Sequence, residues 1–311
     1  MRRFICTGAV LVMLGACGAP APADPLAAAR AQCADAAVEA PVQQSACTTW
    51  LEGAALSEAE RSAALSHRAS ARLRAGAITP ALRDFEAAIA ADPANIHAVL
   101  GRASILVDSG QLDAAEPLVR QALQSGEYAE RAHFLQGLIA FQRGDRAGAI
   151  AAYDAALAVA PRFAAALANR ARARAQGGDY AAAITDYDAA LAVEPNLSAA
   201  LAGRCWARIA VGAEDALPRA DADAAVDADP NNFEGLLCRG LLQLRAEEWE
   251  GARLSYDAAL ALQPGNPTAL FGRGVARRRG GDRDGSDDMN QARDFSPNIA
   301  RTFEQRGVRT F

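Results

Sequence analysis

The sequence predicts an all-α protein built from stacked two-helix modules, and three observations carry that expectation. Alanine, the strongest helix former, supplies 79 of the 311 residues, while aromatic residues make up only 6%. A pattern of Gly, Ala, Tyr and Pro returns every 34 residues through much of the chain. Apolar residues reach 51%, which is ample for a core that a repeat array spreads along its length. There is no lysine, so all 32 basic residues are arginine, and the net charge is -5. That balance argues against a general nucleic-acid binder, which needs a basic surface.

The first segment reads as an address. Met1-Arg2-Arg3 is a basic start, and Phe4 to Ala16 is an apolar run. The run is shorter than the roughly 20 residues a membrane-spanning helix needs, but it has the length of the apolar region of a secretion signal. Residues 1–16 are therefore expected to be a signal peptide. No later stretch is long and apolar enough to span a membrane. Two exits follow the signal. Leu14-Gly15-Ala16-Cys17 resembles a bacterial lipobox, which implies lipidation of Cys17. Ala21-Pro22-Ala23 offers ordinary cleavage before Asp24 instead. The position of the first, directly behind the apolar run, favours it. Both exits leave Cys33, Cys47, Cys205 and Cys238, an even set suited to an oxidising compartment. By resemblance to Gram-negative lipoproteins, Gly18 behind Cys17 implies sorting to the outer membrane. Residues 17–25 are rich in Ala and Pro and read as an extended tether.

Residues 26–61 are expected to hold an N-terminal helical hairpin, Leu26 to Gly53, turning near Ala40-Pro41, with Pro41 suited to a first helical turn. Cys33 and Cys47 then stand at similar height on facing helices, as a bridge requires. Closing a loop of about 15 residues contributes about 3 kcal/mol in the chain-entropy description. Buried free thiols are the alternative.

The 34-residue register covers residues 62–300. The fourth unit, 164–197, is the clearest: Gly178-Asp179-Tyr180, then Ala183, Tyr187, Ala190 and Pro195. The third, 130–163, repeats it with Gly144-Asp145-Arg146, Ala149, Tyr153, Ala156 and Pro161. The first, 62–95, has Gly76, Ala81, Phe85, Ala88 and Pro93. The second, 96–129, has Gly110, Ala115, Val119 and Ala122 but no closing Pro. The fifth, 198–232, has Gly212 and ends at Pro230 after one inserted residue. The sixth, 233–266, shows Gly240, Ala252, Tyr256, Ala259 and Pro264. The seventh, 267–300, keeps Gly274 and Gly281 but puts Asn290 and Arg293 where Tyr and Ala are expected, as a degenerate capping repeat would. Residues 301–311 follow as a tail.

Small residues such as Ala171, Ala183 and Ala190 let two helices cross closely, and a ring such as Tyr187 fills the space beside them. Gly178 supplies a positive φ that ends the first helix, and Pro195 stops the second. These residues resemble the tetratricopeptide repeat (TPR). The resemblance implies a right-handed α-solenoid of about seven units whose neighbours must stack to bury their apolar faces. Cys205 and Cys238 fall in the first helices of consecutive units, two positions out of register with each other. A second bridge and free thiols both remain open for that pair.

Catalytic or cofactor chemistry is not visible. His67, His97 and His133 have no metal-ligand spacing, and no nucleophile elbow occurs. A phosphate loop of the Lys-containing type is impossible without lysine, and Gly272-Arg273-Gly274 is too short for a dinucleotide loop. Asp221, Asp223, Asp227 and Asp229, like Asp282, Asp284, Asp287 and Asp288, fit no calcium loop and are expected on solvated faces. Arg277, Arg278 and Arg279 interleave with the second cluster. A contact with a phosphate or lipid head group is the sharper reading of that triplet. No catalytic residue, metal site or cofactor is assigned.

The resemblance places the functional surface on the inner face of the solenoid. Positions 2, 5, 9 and 12 of each first helix line it. They are Arg131, Phe134, Leu138 and Phe141 in the third unit, and Ala165, Ala168, Arg172 and Ala175 in the fourth. The fifth contributes Ala199, Ala202, Trp206 and Ile209, the sixth Glu234, Leu237, Leu241 and Leu244, and the seventh Thr268, Phe271, Val275 and Arg278. An apolar stripe of this kind marks a binding groove, unless the hairpin or the tail covers it. Arg172 and Arg278 suit a ligand carboxylate. The expected function is that of a non-enzymatic scaffold of the bacterial envelope, periplasm-facing and lipid-anchored, which binds a protein or peptide partner and no nucleic acid. Self-association through the apolar face is the alternative, and an enzyme with an unrecognised site is a remote one.

Overall fold

A computed structural model describes residues 25–53 and 55–310. The expected signal peptide, Cys17 and the tether up to residue 24 lie outside the described residues. Among the described residues there are seventeen helices and no strand. The chain divides within one helix into two compact bodies, one through Gly101 and one from Arg102.

The N-terminal body opens with α1 (Pro25–Ala34) and α2 (Ala40–Gly53), joined by residues 35–39. Asp35 makes that turn by accepting the Ala37 amide on its carboxylate at 2.9 Å. α2 starts at Ala40, with Pro41 in its first turn. Cys33 and Cys47 are bonded, with their Cα atoms 4.6 Å apart. Beside them Gln43 is buried yet satisfied. Its amide donates to the Cys33 carbonyl at 2.8 Å, and its oxygen accepts Arg74 at 2.6 Å. The hairpin packs through Ala46, Cys47 and Trp50 against Ala64 of α3 (Glu58–Arg74). Ser62, expected to open the first repeat, is inside α3 rather than at its start. Ser57 and Glu60 form a capping box that begins the helix earlier. α3 pairs with α4 (Ile78–Ala91).

α5 (Ile96–Asp108) and α6 (Leu112–Ser125) form the second repeat. Without the closing Pro, α6 ends on Gly126 in the left-handed region at φ 77°. The C-terminal body continues with α7 (Ala129–Gln142) and α8 (Arg146–Val159), α9 (Ala164–Gln176) and α10 (Tyr180–Val193), α11 (Ser198–Ala210) and α12 (Ala216–Ala228), α13 (Phe233–Arg245) and α14 (Trp249–Leu262), and α15 (Pro267–Arg279) and α16 (Gly285–Phe295). α17 (Ile299–Gln305) follows. Gly178 takes φ 85° behind α9, and Asp179 caps α10 by accepting the Ala182 amide. In the sixth repeat no Gly stands at that place. Glu247 adopts the left-handed conformation instead, at φ 60°.

The rings hold neighbouring modules together. Tyr187 lies against Gly203 of the next repeat, and Tyr256 lies between Gly240 of its own repeat and Gly272 of the next. A side chain at any of these glycines would occupy the space of the ring. The fifth repeat has no ring, because its inserted residue brings Ala222 to that place. Cys205 of α11 and Cys238 of α13 stand where a ring would meet its two neighbours. They are bonded, with Cα atoms 6.6 Å apart, and cluster with Ala222 and Leu242. A disulfide thus fills the space that a tyrosine fills elsewhere. In the seventh repeat the register slips by one residue. Met289 and Ala292 are buried in place of the expected Asn290 and Arg293.

A second repeating device is ionic. Arg170 grips the buried Asp186 with both arms of its guanidinium, at 2.9 and 2.6 Å, and Arg174 adds a third bond at 2.7 Å. Arg204 and Arg208 hold Asp221 in the same way, and Arg273 and Arg277 hold Asp288. Arg68 and Arg72 do so with Asp84 in the N-terminal body. The arginines also reach the preceding repeat, Arg170 to Asp154, Arg204 to Asp188 and Arg273 to Asp257. In the sixth repeat Arg239 donates to Ser255, which donates in turn to Gln243, so a hydroxyl takes the place of the carboxylate. This corrects the expectation of wholly solvated acidic faces: Asp221 and Asp288 are buried clamp residues. Each is buried because two guanidinium groups supply the bonds that water would otherwise make.

Candidate functional site

The inner-face residues fall into two groups. In the third to fifth repeats they remain partly open. Phe134, Leu138 and Phe141 on α7 are half-buried, Arg172 on α9 is exposed, and Trp206 and Ile209 on α11 are half-buried. Phe134 stacks at 5.0 Å on Phe163 and at 6.0 Å on Tyr153, which fixes its orientation. Arg172 lies over Phe141 at 5.1 Å. Trp206 donates its indole N–H to the Glu234 carbonyl at 3.3 Å.

In the sixth and seventh repeats the expected groove residues are interior. Leu237, Leu241, Leu244, Phe271 and Val275 belong to one buried cluster with Ile299, Phe303 and Val308. Phe303 of α17 stacks on Phe271 at 5.0 Å. Leu241, Leu244, Phe271 and Val275 therefore do not line a groove, whereas Leu237, although buried, borders the cleft described below. The segment expected to be a tail forms α17 and a stretch in which Val308 and Thr310 are buried, and it covers them. The reason is hydrophobic: Phe271 and its neighbours present apolar area that α17 removes from water. Arg278 stays exposed at the far end of α15, away from the open group in sequence.

Where the covered and open stretches meet, a cleft of about 990 Å³ is lined by Arg172, Tyr180, Trp206, Ile209, Phe233, Glu234, Arg245 and Arg306, among others. Arg306 comes from the end of α17 and lies over the Trp206 ring at 4.7 Å. Burial pushes its pKa below the usual arginine value, against the opposing effect of Tyr256 and Glu234. Arg245 is paired with Asp215 at 3.0 Å. Asn232 and Asn266 on the rim are occupied as caps of α13 and α15. Tyr180, Phe233, Arg245 and Arg306 line the cleft from outside the expected inner-face positions. Arg306 lies beyond the repeat register, so no periodic position pointed to it.

The remaining candidates are accounted for locally. His97 faces Ser70 at 2.9 Å and stacks at 5.6 Å on His67, whose pKa burial lowers. His133 contacts Gln136 at 3.3 Å. Of the arginine triplet, Arg277 holds Asp282 and Asp288, and Arg279 donates to the Arg309 carbonyl. Gly272 and Gly274 lie within α15, where they admit Tyr256 and Met289. Among the described residues no group of three or more His, Cys, Asp or Glu side chains is placed to hold a metal ion.

The tetratricopeptide repeat profile matches residues 67–130, 100–158, 134–199, 213–267 and 237–297. None of the curated proteins matches the chain. Among solved structures, PilF of Pseudomonas aeruginosa is 19% identical with a TM-score of 0.60, over 69% of this chain and 98% of that one. PilW, described as a widely conserved type IV pilus biogenesis factor, is 20% identical with a TM-score of 0.55, over 67% and 96%. A tetratricopeptide repeat protein of Parabacteroides merdae is 18% identical with a TM-score of 0.55, over 76% and 92%. At these identities the likeness concerns the fold. With the profile covering more than half of the residues and its helix pairs, glycine turns and rings in place, the chain belongs to the tetratricopeptide repeat family.

Proposed function

We propose that this protein is a non-enzymatic adaptor of the bacterial cell envelope, which holds a segment of a partner protein in the cleft of its C-terminal body. The observation that carries the reading is the open apolar group on α7 and α11. Phe134, Phe141, Trp206 and Ile209 keep accessible area beside Arg172, although the same chain covers the equivalent positions further on. Aromatic anchors in a concave site are the usual source of binding energy in such contacts. The likeness to a pilus biogenesis factor supports assembly work in the envelope as the setting. Delivery would use residues 1–16 as the signal and Cys17 as the lipid anchor, with the outer membrane as destination. Among the described residues no helix is long and apolar enough to cross a membrane.

The test replaces Trp206 and Phe134 together by Ala and captures crosslinked partners from intact envelopes. Capture falls at least tenfold while helical content is unchanged; capture at wild-type strength would remove the cleft from the mechanism. Labelled fatty acid enters the wild type and not Cys17→Ser, and equal labelling would defeat the anchor. Self-association remains the second reading, and a mass that rises with concentration in sedimentation would favour it.

A further inference from the structure

Many arginines meet a carboxylate: Arg170 and Arg174, Arg204 and Arg208, Arg273 and Arg277 all share a buried Asp. Others donate to neutral oxygens, Arg74 to Gln43, Arg239 to Ser255 and Arg279 to the Arg309 carbonyl. Two that line the cleft have an aromatic ring as their partner instead. Arg172 rests on Phe141, and Arg306 rests on Trp206, each on a ring face and neither within ion-pair distance of an acid among the described residues. Arg306 is half-buried as well. A guanidinium withdrawn from water without an ion-pair partner is costly, and the ring face together with the charge of Glu234 offsets only part of the cost. The third lining arginine, Arg245, is already neutralised by Asp215. Glu234 is the one acidic side chain of the lining, so the cleft carries a positive surplus on a chain whose net charge is -5.

We infer that the cleft selects a partner segment carrying an Asp or Glu side chain among apolar residues. Its carboxylate is received by Arg306 and Arg172, and its apolar neighbours are received by Trp206 and Ile209. The inference rests on the adaptor reading and adds the chemistry of the partner. Arg306 lies over the indole at 4.7 Å and lines the cleft, and a guanidinium can make a two-pronged bond to a carboxylate. Because the arginine comes from the segment that seals the sixth and seventh repeats, the same tail both closes one stretch of the inner face and supplies the charge of the other.

The experiment selects phage-displayed random 12-residue peptides on the purified full chain, a format in which the displayed peptide has no free C-terminus. Selected sequences are then synthesised with amidated ends, in acidic and Gln-substituted versions. The expected result is enrichment of Asp or Glu next to aliphatic or aromatic residues. Replacing the acid by Gln weakens Kd about tenfold or more, and so does Arg306→Gln in the protein. The two changes together cost little more than one, as a direct pair requires. Arg172→Gln, at an exposed position, shifts Kd in the same direction by a smaller factor. Binders without acidic residues, indifferent to Arg306→Gln yet lost with Trp206→Ala, would overturn the carboxylate site and leave the adaptor reading standing. So would binding that requires a free C-terminal carboxylate. No binders, or binders indifferent to Trp206→Ala, would overturn both.

Discussion

The inner face of the third to fifth repeats and that of the sixth and seventh use the same helical positions with opposite outcomes. Phe141 on α7 keeps contact with solvent, while Phe271 on α15 has none. Both are apolar residues in the register of a binding face. What separates them is α17 and the residues behind it, which place Phe303 and Val308 on one stretch and stop at Arg306 before the other. A repeat position therefore says where a side chain points, and only the neighbouring chain says whether the side chain is available. The disulfide between Cys205 and Cys238 sits at the joint between the two stretches, where the ring that Tyr187 and Tyr256 supply at neighbouring joints is missing.

The largest expected effect tests the sealed stretch. Phe303→Ala removes a fully buried ring, and equilibrium unfolding should show a loss of about 3–5 kcal/mol. Phe141→Ala, half-buried in the open stretch, should cost less than half as much. Equal losses would mean that the two stretches do not differ. The next test is the joint. Cys205→Ala with Cys238→Ala releases a cross-link between residues 33 apart, which chain-entropy arguments value at about 3–4 kcal/mol, and also opens the space beside Ala222. A double variant as stable as the wild type would show that the disulfide does not stand in for the ring.

The smallest effect is a pH dependence that compares two joints. Burial pushes the Tyr187 hydroxyl up to about 12, with Arg172 acting in the opposite direction, and pushes Tyr256 higher still. An unfolded tyrosine ionises near 10, so between that value and the folded one the native state binds more protons. Stability should then fall as pH rises above about 10, and the contribution of these tyrosines should be constant below that. Tyr256→Phe and Tyr187→Phe should each flatten the fall by a similar amount in thermal melts taken from pH 9 to 11, because both folded values lie above that range. A fall of unchanged slope in both variants would assign the alkaline loss to other groups.

Much of the fold was legible because its signals are local. Gly178 is needed for a positive φ, Pro195 cannot continue a helix, and Ala183 and Ala190 permit a close crossing, so each announces itself within its own repeat. The Arg–Asp clamp was missed although it too is periodic. Arg204 and Asp221 look like separate surface charges until α11 and α12 pack together and exclude water from the carboxylate. Glu247 was missed for the opposite reason, since a residue that takes a left-handed turn at a cost gives no sign of it.

The amino-acid order by itself determined the helix pairs, their stacking period and which faces they turn inward, because these follow from backbone conformation and side-chain size over a few turns. It also brought two cysteines to a joint that lacks a ring. Which inward faces remain open was decided only in three dimensions. Burial depends on what the rest of the chain lays over a surface, and here a short helix beyond the last repeat covers Phe271, leaves Trp206 accessible and sets Arg306 above it.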